Sequence, residues 1–346
     1  MSASLAGAAP VLIGVATVLF VIATIAGLAR FARRRERAVR REKLTAFSAA
    51  LELTARGVWS GRDLGVVATG VDAAVFWTAI ENASMERRLS PRIVRGLAHS
   101  RHVADERRML RDDSPWRRQL AARRLGLISL QAARRALRRA LVRGPEAVTH
   151  EAALALAHHR DGGALRWLIL HPQALAHRTP RARFELLRAF GRRAHPLLLE
   201  ELRRGIVDPA LERAVIDVLG AGRHREAAPA SAARLSHPEV ELRVAAARAL
   251  GRLGERTTAA VLIAALGDPE WAVRAQVARA LGACGGAESI TPLGARLEDP
   301  ARWVRRHAAY ALAGLGSAGR AELARIAAQS RDRYAREMAD EALAAG

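Results

Sequence analysis

The sequence predicts an all-α fold, an α-solenoid of stacked two-helix units. The first observation is a 31-residue recurrence near the C-terminus, in which one residue type returns at equivalent positions: Arg243, Arg274, Arg305 and Arg336; Leu250, Leu281, Leu312 and Leu343; Gly254, Gly285 and Gly316. A period in this range is typical of stacked helix pairs. Half of the 346 residues are hydrophobic but only 4% are aromatic, which predicts a core of Leu, Ala and Val. No stretch alternates convincingly with the period of two that marks a half-buried strand.

Each unit is predicted to consist of two antiparallel helices. A proline follows His237, Asp268 and Asp299, and proline is favoured in the first helical turn because its missing N–H needs no partner there. The Asp before it predicts an N-cap. Apolar residues then recur at helical spacing up to a glycine such as Gly254, which predicts the helix end. Residues 256–266 are predicted to form the second helix of the pair.

A motif in these units resembles a known family. The run from Asp268 to Gly285 contains D-P, V-R, A-L-G and a final G at fixed spacing. Similar runs begin at residues 237 and 299. It resembles the HEAT repeats, in the short bacterial subtype named after the phycobilisome lyases. The resemblance implies the solenoid fold and says little about function, because functional sites are grafted onto folds. It also implies a hydrogen-bonded ladder between successive turns, formed here by Asp268, Arg274, Asp299 and Arg305.

Weaker copies of the repeat precede the strong ones. The Leu-Gly pair at 250–251 recurs at 219–220 and at 125–126. Helix starts are predicted at the prolines Pro115, Pro145, Pro180 and Pro209. About eight units are therefore predicted to stack over residues 113–346. The pattern of residues 44–112 predicts helices that lie outside the 31-residue register. They are predicted to form a cap or degenerate repeats, since the end of a solenoid needs a polar surface.

An uncharged stretch precedes these domains. Residues 11–29 contain no charge, and about 20 apolar residues are needed for a helix to cross a bilayer. A cleaved signal peptide would need a basic segment ahead of the apolar stretch, and none of residues 1–10 is basic. The sequence therefore predicts a transmembrane anchor over residues 1–30. Because the basic side is expected to stay inside, the prediction is a single-pass inner-membrane protein with its N-terminus outside and its C-terminal domain cytoplasmic.

The net charge of +22 is concentrated in two segments. Residues 30–43 carry 8 basic and 2 acidic groups, and residues 87–143 carry 17 and 4. Residues 31–43 are predicted to be a basic juxtamembrane segment that contacts anionic lipid headgroups. Its basic members are Arg33, Arg34, Arg35, Arg37, Arg40, Arg41 and Lys43.

The second charged segment supplies the main candidate for a binding surface, which we name the arginine cluster. Its members lie on the two predicted helices of the first regular repeat: Arg117, Arg118, Arg123, Arg124, Arg134, Arg135, Arg138 and Arg139. Arginines four residues apart on a helix repel each other slightly. This cost favours a partner, either an acidic protein or an anionic membrane, over a merely solvated face.

The sequence contains no recognisable catalytic constellation. It has neither a G-x-S-x-G nucleophile motif nor a phosphate-binding G-x-x-x-x-G-K motif, and its eleven histidines lack the H-E-x-x-H spacing. Gly314, Gly316 and Gly319 have the spacing of a dinucleotide-binding motif, but a helix rather than a strand is predicted before them. Cys284, the single cysteine, occupies the register of Leu253 and is predicted to be a core residue. No cofactor or metal is predicted.

These observations predict a membrane-anchored scaffold or adaptor, not an enzyme, that binds membrane-associated proteins. Two alternatives stay open. Resemblance to the phycobilin lyases implies an enzyme or accessory factor that attaches or removes a tetrapyrrole on a cysteine of an antenna protein. Nucleic-acid binding by the arginine cluster, as in the HEAT-like DNA glycosylases, would require an affinity that falls steeply with salt. The predicted membrane anchor disfavours this second alternative.

Overall fold

Helices form every regular element in the described part of the chain. The computed structural model describes residues 8–86 and 89–345, with the backbone alone for residues 8–21 and 23. The prediction of an all-α fold is confirmed for these residues. The chain divides into two compact units, Met1–Ala136 and Leu137–Gly346.

The first unit is built around one long helix. Its helices are α1 (Ala8–Arg56), α2 (Gly61–Gly70), α3 (Ala73–Met85), α4 (Pro91–Gly96), α5 (Arg101–Met109) and α6 (Pro115–Leu127). The C-terminal part of α1 packs against α2, α3 and α4. Phe47 of α1 stacks on Phe76 of α3 with ring centroids 5.6 Å apart, and Trp77 packs edge-on against Phe76. This aromatic core joins α3 to α1.

The predicted membrane anchor is contradicted. The described residues contain no helix that is both long enough and apolar enough to cross a membrane. The side chains of residues 11–21 and 23, most of the predicted span, lie outside the described residues. The prediction of a single-pass inner-membrane protein is therefore wrong on this finding.

The second unit consists of helix pairs that stack in chain order. A further helix, α7 (Gln131–Arg143), runs across the division between the units. The others are α8 (Glu146–His158), α9 (Gly162–Leu170), α10 (Pro180–Ala189), α11 (His195–Arg204), α12 (Pro209–Ala221), α13 (Ala228–Ala233), α14 (Val240–Leu253), α15 (Ala259–Ala265), α16 (Trp271–Cys284), α17 (Ile290–Ala295), α18 (Arg302–Gly314), α19 (Gly316–Gln329) and α20 (Arg333–Ala344). The first helix of each pair packs against the first helix of the next pair, and the last of them packs against the final helix. In order these helices are α8, α10, α12, α14, α16, α18 and α20. The described residues of this unit thus form six helix pairs and a final single helix.

The strong repeats begin their first helices later than predicted. The helix α16 begins at Trp271 and α18 at Arg302, two residues after the expected prolines. The aspartates Asp268 and Asp299 each accept a hydrogen bond of 2.9 Å from the amide two residues further on. Because an arginine of the preceding repeat also binds the same carboxylate, each aspartate stabilises the turn before the helix and does not cap the helix itself.

Glycine facing alanine allows the first helices to approach closely. A Cβ built on Gly220 of α12 would lie 2.8 Å from the Cα and Cβ of Ala249 in α14. A Cβ on Gly251 of α14 would lie 3.0 Å from the Cα of Ala280 in α16. These distances are shorter than ordinary van der Waals contacts, so the spacing of the helices depends on the missing side chain.

Replacing Gly220 by alanine is therefore expected to destabilise the second unit by about 1–3 kcal/mol through overpacking. The control is Gly314→Ala. A Cβ there would lie 4.0 Å from the Gly282 carbonyl oxygen, the nearest atom of another helix, so it would fit without a clash. Since alanine favours helix more than glycine does, the control is expected to be neutral or slightly stabilising. Thermal unfolding followed by circular dichroism measures both, and equal shifts would contradict the close approach.

Candidate functional site

Aspartate–arginine pairs connect successive repeats of the second unit. Arg243 binds Asp268 through hydrogen bonds of 2.7 and 3.0 Å, and Arg274 binds Asp299 through bonds of 2.7 and 2.9 Å. Each arginine also donates to carbonyl groups of its own turn, as Arg274 does to Asp268 and Pro269. The guanidinium groups are therefore used within the fold, and the ladder stabilises the stack.

The Asp299 carboxylate is electrostatically adapted to this position. Its burial opposes ionisation, but hydrogen bonds from Arg274 and from the Ala301 amide outweigh the burial, so the pKa of Asp299 lies below its ordinary value. Arg305, the next arginine of the series, has Ser330 at the position 31 residues after Asp299. Without a carboxylate there, Arg305 lies 5.0 Å above the ring of Tyr334.

The arginine cluster is divided between internal ion pairs and exposed side chains. Arg124 donates to the buried Glu106 at 2.7 Å and lies 5.5 Å from the ring of Trp77. Arg138 binds the buried Asp161 through two hydrogen bonds of 2.8 Å. These two arginines are therefore occupied within their own compact units.

The remaining members of the cluster have different environments. Arg117 lies 3.3 Å from Asp112, and Arg134 donates to Ser129. Arg118 and Arg134 are half-buried, and the exposed members are Arg117, Arg123, Arg135 and Arg139. Only Arg138 and Arg139 fall in the second unit. The predicted juxtamembrane residues are all exposed along α1: Arg33, Arg34, Arg35, Arg37, Arg40, Arg41 and Lys43.

Large aromatic side chains are exposed on the first helices of the last repeats. Trp303, Tyr310 and Tyr334 are 52%, 38% and 59% exposed. On α18 the positions 303, 307 and 310 follow the i, i+4, i+7 spacing of a single helical face. Trp303 and Tyr334 are 31 residues apart, so they hold equivalent positions on the neighbouring helices α18 and α20. We name Trp303, Arg306, His307, Tyr310 and Tyr334 the aromatic face.

Arg306 occupies the centre of the aromatic face. Its guanidinium carbon lies 5.7 Å from the Trp303 ring centroid and 5.5 Å from that of Tyr310, within cation–π distance of both. An open cleft of about 360 Å³ lies beside it. The residues that line the cleft are Arg279, Gly282, Trp303, Arg306, His307, Tyr310 and Ala311. The ring of His307 is held by a 2.9 Å hydrogen bond to the Ala275 carbonyl.

The search for charge in the sequence missed the aromatic face. The signal was present on α18, where Val304, Ala308 and Leu312 already supply the buried face. Trp303 and Tyr310 fall on the other side of the same helix. In a chain with only 4% aromatic residues, two rings outside the core pattern of one helix indicate a surface with another role.

A larger open cleft of about 1210 Å³ lies in the first unit beside α2 and α4. Two of its lining glycines meet closely: a Cβ built on Gly96 would lie 2.8 Å from the Gly61 carbonyl oxygen. The Asp63 carboxylate binds the amide and hydroxyl of Ser60 at the start of α2. Its negative charge thus occupies the helix N-terminus, where an anion would otherwise be favoured.

Other residues singled out by their chemistry have structural surroundings. Cys284 is fully buried, its Sγ donates to the Leu250 carbonyl at 3.2 Å, and burial raises the pKa of its thiol. Gly314 and Gly316 lie where α18 ends and α19 begins, so a helix precedes them. Within residues 8–86 and 89–345, no three His, Cys, Asp or Glu side chains are grouped as metal ligands.

The surroundings of His195 are expected to make the stability of the second unit depend on pH. The rings of His195 and His224 meet edge-on with centroids 5.5 Å apart. Burial lowers the pKa of His195, and the charges of His224 and Arg192 lower it further. The unfolded chain, with a histidine pKa near about 6.5, therefore takes up the proton first as the pH falls. Stability from His195 is present above this pH and is lost below it.

The expected result is a melting temperature that falls as the pH decreases through about 6.5. In His195→Gln this dependence should be weaker, because the substituted group does not titrate. His158→Gln, a change at an exposed histidine, is the matched control and should keep the wild-type dependence. Melting curves across this pH range measure the effect, and an unchanged dependence in His195→Gln would refute the assignment.

Comparison with known families identifies the C-terminal part of the second unit. A sequence profile of HEAT repeats matches residues 196–276, 228–313 and 259–344, which together cover 196–344. Residues 196–344 are HEAT repeats. The predicted resemblance is confirmed over this range. The HEAT repeats contain the pairs Arg243–Asp268 and Arg274–Asp299 and the whole aromatic face.

Solved structures similar to the chain include proteins of different kinds. Human deoxyhypusine hydroxylase is 21% identical, with 78% of this chain and 97% of that chain covered and a TM-score of 0.33. An engineered protein is 18% identical over 82% and 98%, with a TM-score of 0.30. The complex of CpcE and CpcF of phycocyanin lyase from Nostoc is 21% identical over 82% and 94%, with a TM-score of 0.26. No curated protein sequence matches the chain.

Proposed function

We propose that the HEAT repeats act as a scaffold or adaptor, without enzymatic activity, that binds a protein partner through the aromatic face. The observation that carries this proposal is the exposure of Trp303 and Tyr310 around Arg306, and of Tyr334 on the neighbouring helix α20. Trp, Tyr and Arg are the residue types that most often dominate the binding energy of protein interfaces. Here they lie together on one surface of adjoining repeats.

The aromatic rings are not needed to complete the core. The buried side of α18 is formed by Val304, Ala308 and Leu312, all 0% exposed. Trp303 and Tyr310 lie outside this packed side and leave much of their apolar area in contact with water. Burying that apolar area against a partner would stabilise the complex by about 25 cal/mol per Å². The entropic costs of association reduce this gain.

The helices before and at the face are closely packed in the absence of a partner. Glycine–alanine contacts fix the spacing of the first helices, and the pair Arg274–Asp299 joins α16 to the turn that precedes α18. A surface on packed helices loses little conformational freedom on binding, which favours affinity. The predicted use of the arginine cluster and of the basic residues of α1 for partners or lipid stays a prediction beside this proposal.

The proposal is tested by affinity purification with the full chain and with two variants. Trp303→Ala is expected to weaken a bound partner about 30-fold or more, as truncation of a central aromatic residue at an interface costs about 2 kcal/mol or more. The control is Val261→Ala, since Val261 is 43% exposed on α15 and lies outside the aromatic face. The recovered partner is then purified and its affinity for all three proteins is measured by titration.

Three outcomes would count against the proposal. Equal affinity of wild type and Trp303→Ala would show that the face does not carry the interaction. A drop in melting temperature of Trp303→Ala would assign the ring to stability. Recovery of nucleic acid in place of protein would favour the alternative in which aromatic and arginine side chains stack on bases.

A further inference from the structure

We infer that the cleft beside Arg306 is a binding site for a carboxylate group of an acidic peptide segment. This inference rests on the proposed function, because it names the chemistry by which the aromatic face would recognise its partner. The cleft is lined by Arg279 and Arg306, and neither makes a hydrogen bond or ion pair with any described residue. Arg279 is exposed and Arg306 is half-buried, whereas Arg243, Arg248 and Arg274 each bind an aspartate.

Arg306 is positioned for bidentate binding. Its guanidinium lies between the rings of Trp303 and Tyr310, at 5.7 and 5.5 Å from their centroids. A guanidinium stacked on aromatic rings keeps its N–H groups in the plane of the group, where a carboxylate accepts two parallel hydrogen bonds. The rings reduce the freedom of the long side chain before binding, so less entropy is lost when the carboxylate arrives.

The position of Arg279 follows from the repeat. Residues 217, 248, 279, 310 and 341 are each 31 apart and lie on successive first helices. At one end of this series of equivalent positions, Arg248 donates two hydrogen bonds of 2.9 Å to Asp217. At the other end the Tyr310 hydroxyl donates to Glu341 at 3.2 Å. Arg279, in the middle, has no carboxylate from either neighbour.

The charges around the cleft favour an acidic ligand. α20 carries three acidic groups: Glu337 is paired with Arg333 at 2.7 Å, Glu341 accepts from Tyr310, and Asp340 is exposed. The small residues Gly282 and Ala311 leave the space of about 360 Å³ that a Glu or Asp side chain can enter. A peptide that places one carboxylate there would also lay its apolar atoms on the aromatic rings.

The test measures binding of two fluorescein-labelled six-residue peptides, one of Glu and one of Gln, to the full chain by fluorescence anisotropy. The Glu peptide is expected to bind at least about tenfold more tightly, since a hydrogen-bonded charged group is worth about 1.5–3 kcal/mol. Arg306→Gln and Arg279→Gln should each weaken the Glu peptide severalfold. Arg306→Lys keeps the charge without the planar group and should also bind more weakly than wild type.

Arg193→Gln is the charge-matched control, because Arg193 is an exposed arginine in the turn before α11 and away from α16 and α18 in the chain. It should bind as wild type does. A loss as large as that of Arg306→Gln would mean general attraction to a basic chain and would overturn the inference, as would equal binding of the Glu and Gln peptides. Unchanged melting temperatures show that the variants are folded.

The inference and the proposed function fail separately. If Trp303→Ala releases the protein partner but Arg306→Gln does not, the aromatic face binds protein and the carboxylate site is refuted. If the Glu peptide binds as expected but Trp303→Ala retains the partner, the carboxylate site stands and the aromatic face is not the main interface.

Discussion

Leu281→Asp is expected to unfold the HEAT repeats around α16. Leu281 is 0% exposed, as are Leu250 and Leu312 at the equivalent positions of the neighbouring repeats. Aspartate at this position would bury a carboxylate without a partner, which costs several kcal/mol even when the group becomes protonated. A loss of about 5 kcal/mol is comparable with the whole stability of many domains. Circular dichroism should show reduced helix content and no cooperative thermal transition at the wild-type temperature.

The control on the same repeat is Glu270→Ala. Glu270 is exposed just before α16, and substitutions at exposed positions usually change stability by less than about 0.5 kcal/mol. The two variants therefore separate the buried register from the outer surface. If they melted at the same temperature, the 31-residue register would not describe the core.

Asp299→Ala is expected to produce the second largest loss of stability, about 3–5 kcal/mol. The Asp299 side chain is 1% exposed and binds Arg274, which is 12% exposed, so the substitution leaves a buried guanidinium without its counter-charge. Chemical denaturation of wild type, Asp299→Ala, Arg274→Ala and the double variant forms a double-mutant cycle. The double variant should lose less than the sum of the single losses, because removal of both partners leaves no uncompensated charge.

An exposed pair provides the comparison for Asp299. Glu185→Ala removes the partner of Arg188 on the surface of α10, and such pairs contribute about 0–1 kcal/mol.

The pH dependence of the stability that Asp299 contributes follows from the lowered pKa of its carboxyl group. Its contribution is present above the unfolded value near about 3.9 and is lost as the pH falls through the lower folded value. The difference between wild type and Asp299→Ala should therefore shrink in acid, and a constant difference would contradict the ion-pair explanation.

The repeat architecture was predictable because it depends on patterns within the chain. Recurrent leucines such as Leu281 mark the buried face, and a glycine such as Gly254 ends α14 with a φ of 69°. Both signals are local and repeat every 31 residues, so the sequence alone indicates the fold class. The exact helix starts were not predictable, since the carboxylate of Asp268 is shared between its own turn and Arg243 of the preceding repeat.

Pairings across repeats were harder to predict than the helices. The sequence places Arg274 six residues after Asp268, yet its guanidinium binds Asp299, 25 residues further on, because stacking brings the next turn alongside. Arg124 and Arg138 likewise bind carboxylates 18 and 23 residues away. Charge counts along the chain cannot separate such paired arginines from those available to a partner.

The functional predictions failed or stayed open for similar reasons. A hydropathy argument over residues 11–29 predicted an anchor, and the described residues contain no helix suited to cross a membrane. The aromatic face combines residues of α18 and α20 that are 31 apart in the sequence. Trp303 and Tyr310 share one face of α18, and the stacking of the helices brings α20, which carries Tyr334, against α18.

Site-specific photocrosslinking at position 303 tests the central claim most directly. Trp303 is replaced by the photoreactive p-benzoylphenylalanine, an aromatic side chain of similar size, and Val261 is replaced in the same way as the control. After irradiation of the native cells, the account predicts a covalent adduct with a protein from position 303 and none from position 261. Equal adducts from both positions, no adduct from 303, or an adduct that nuclease removes would contradict the proposal that the aromatic face binds a protein partner.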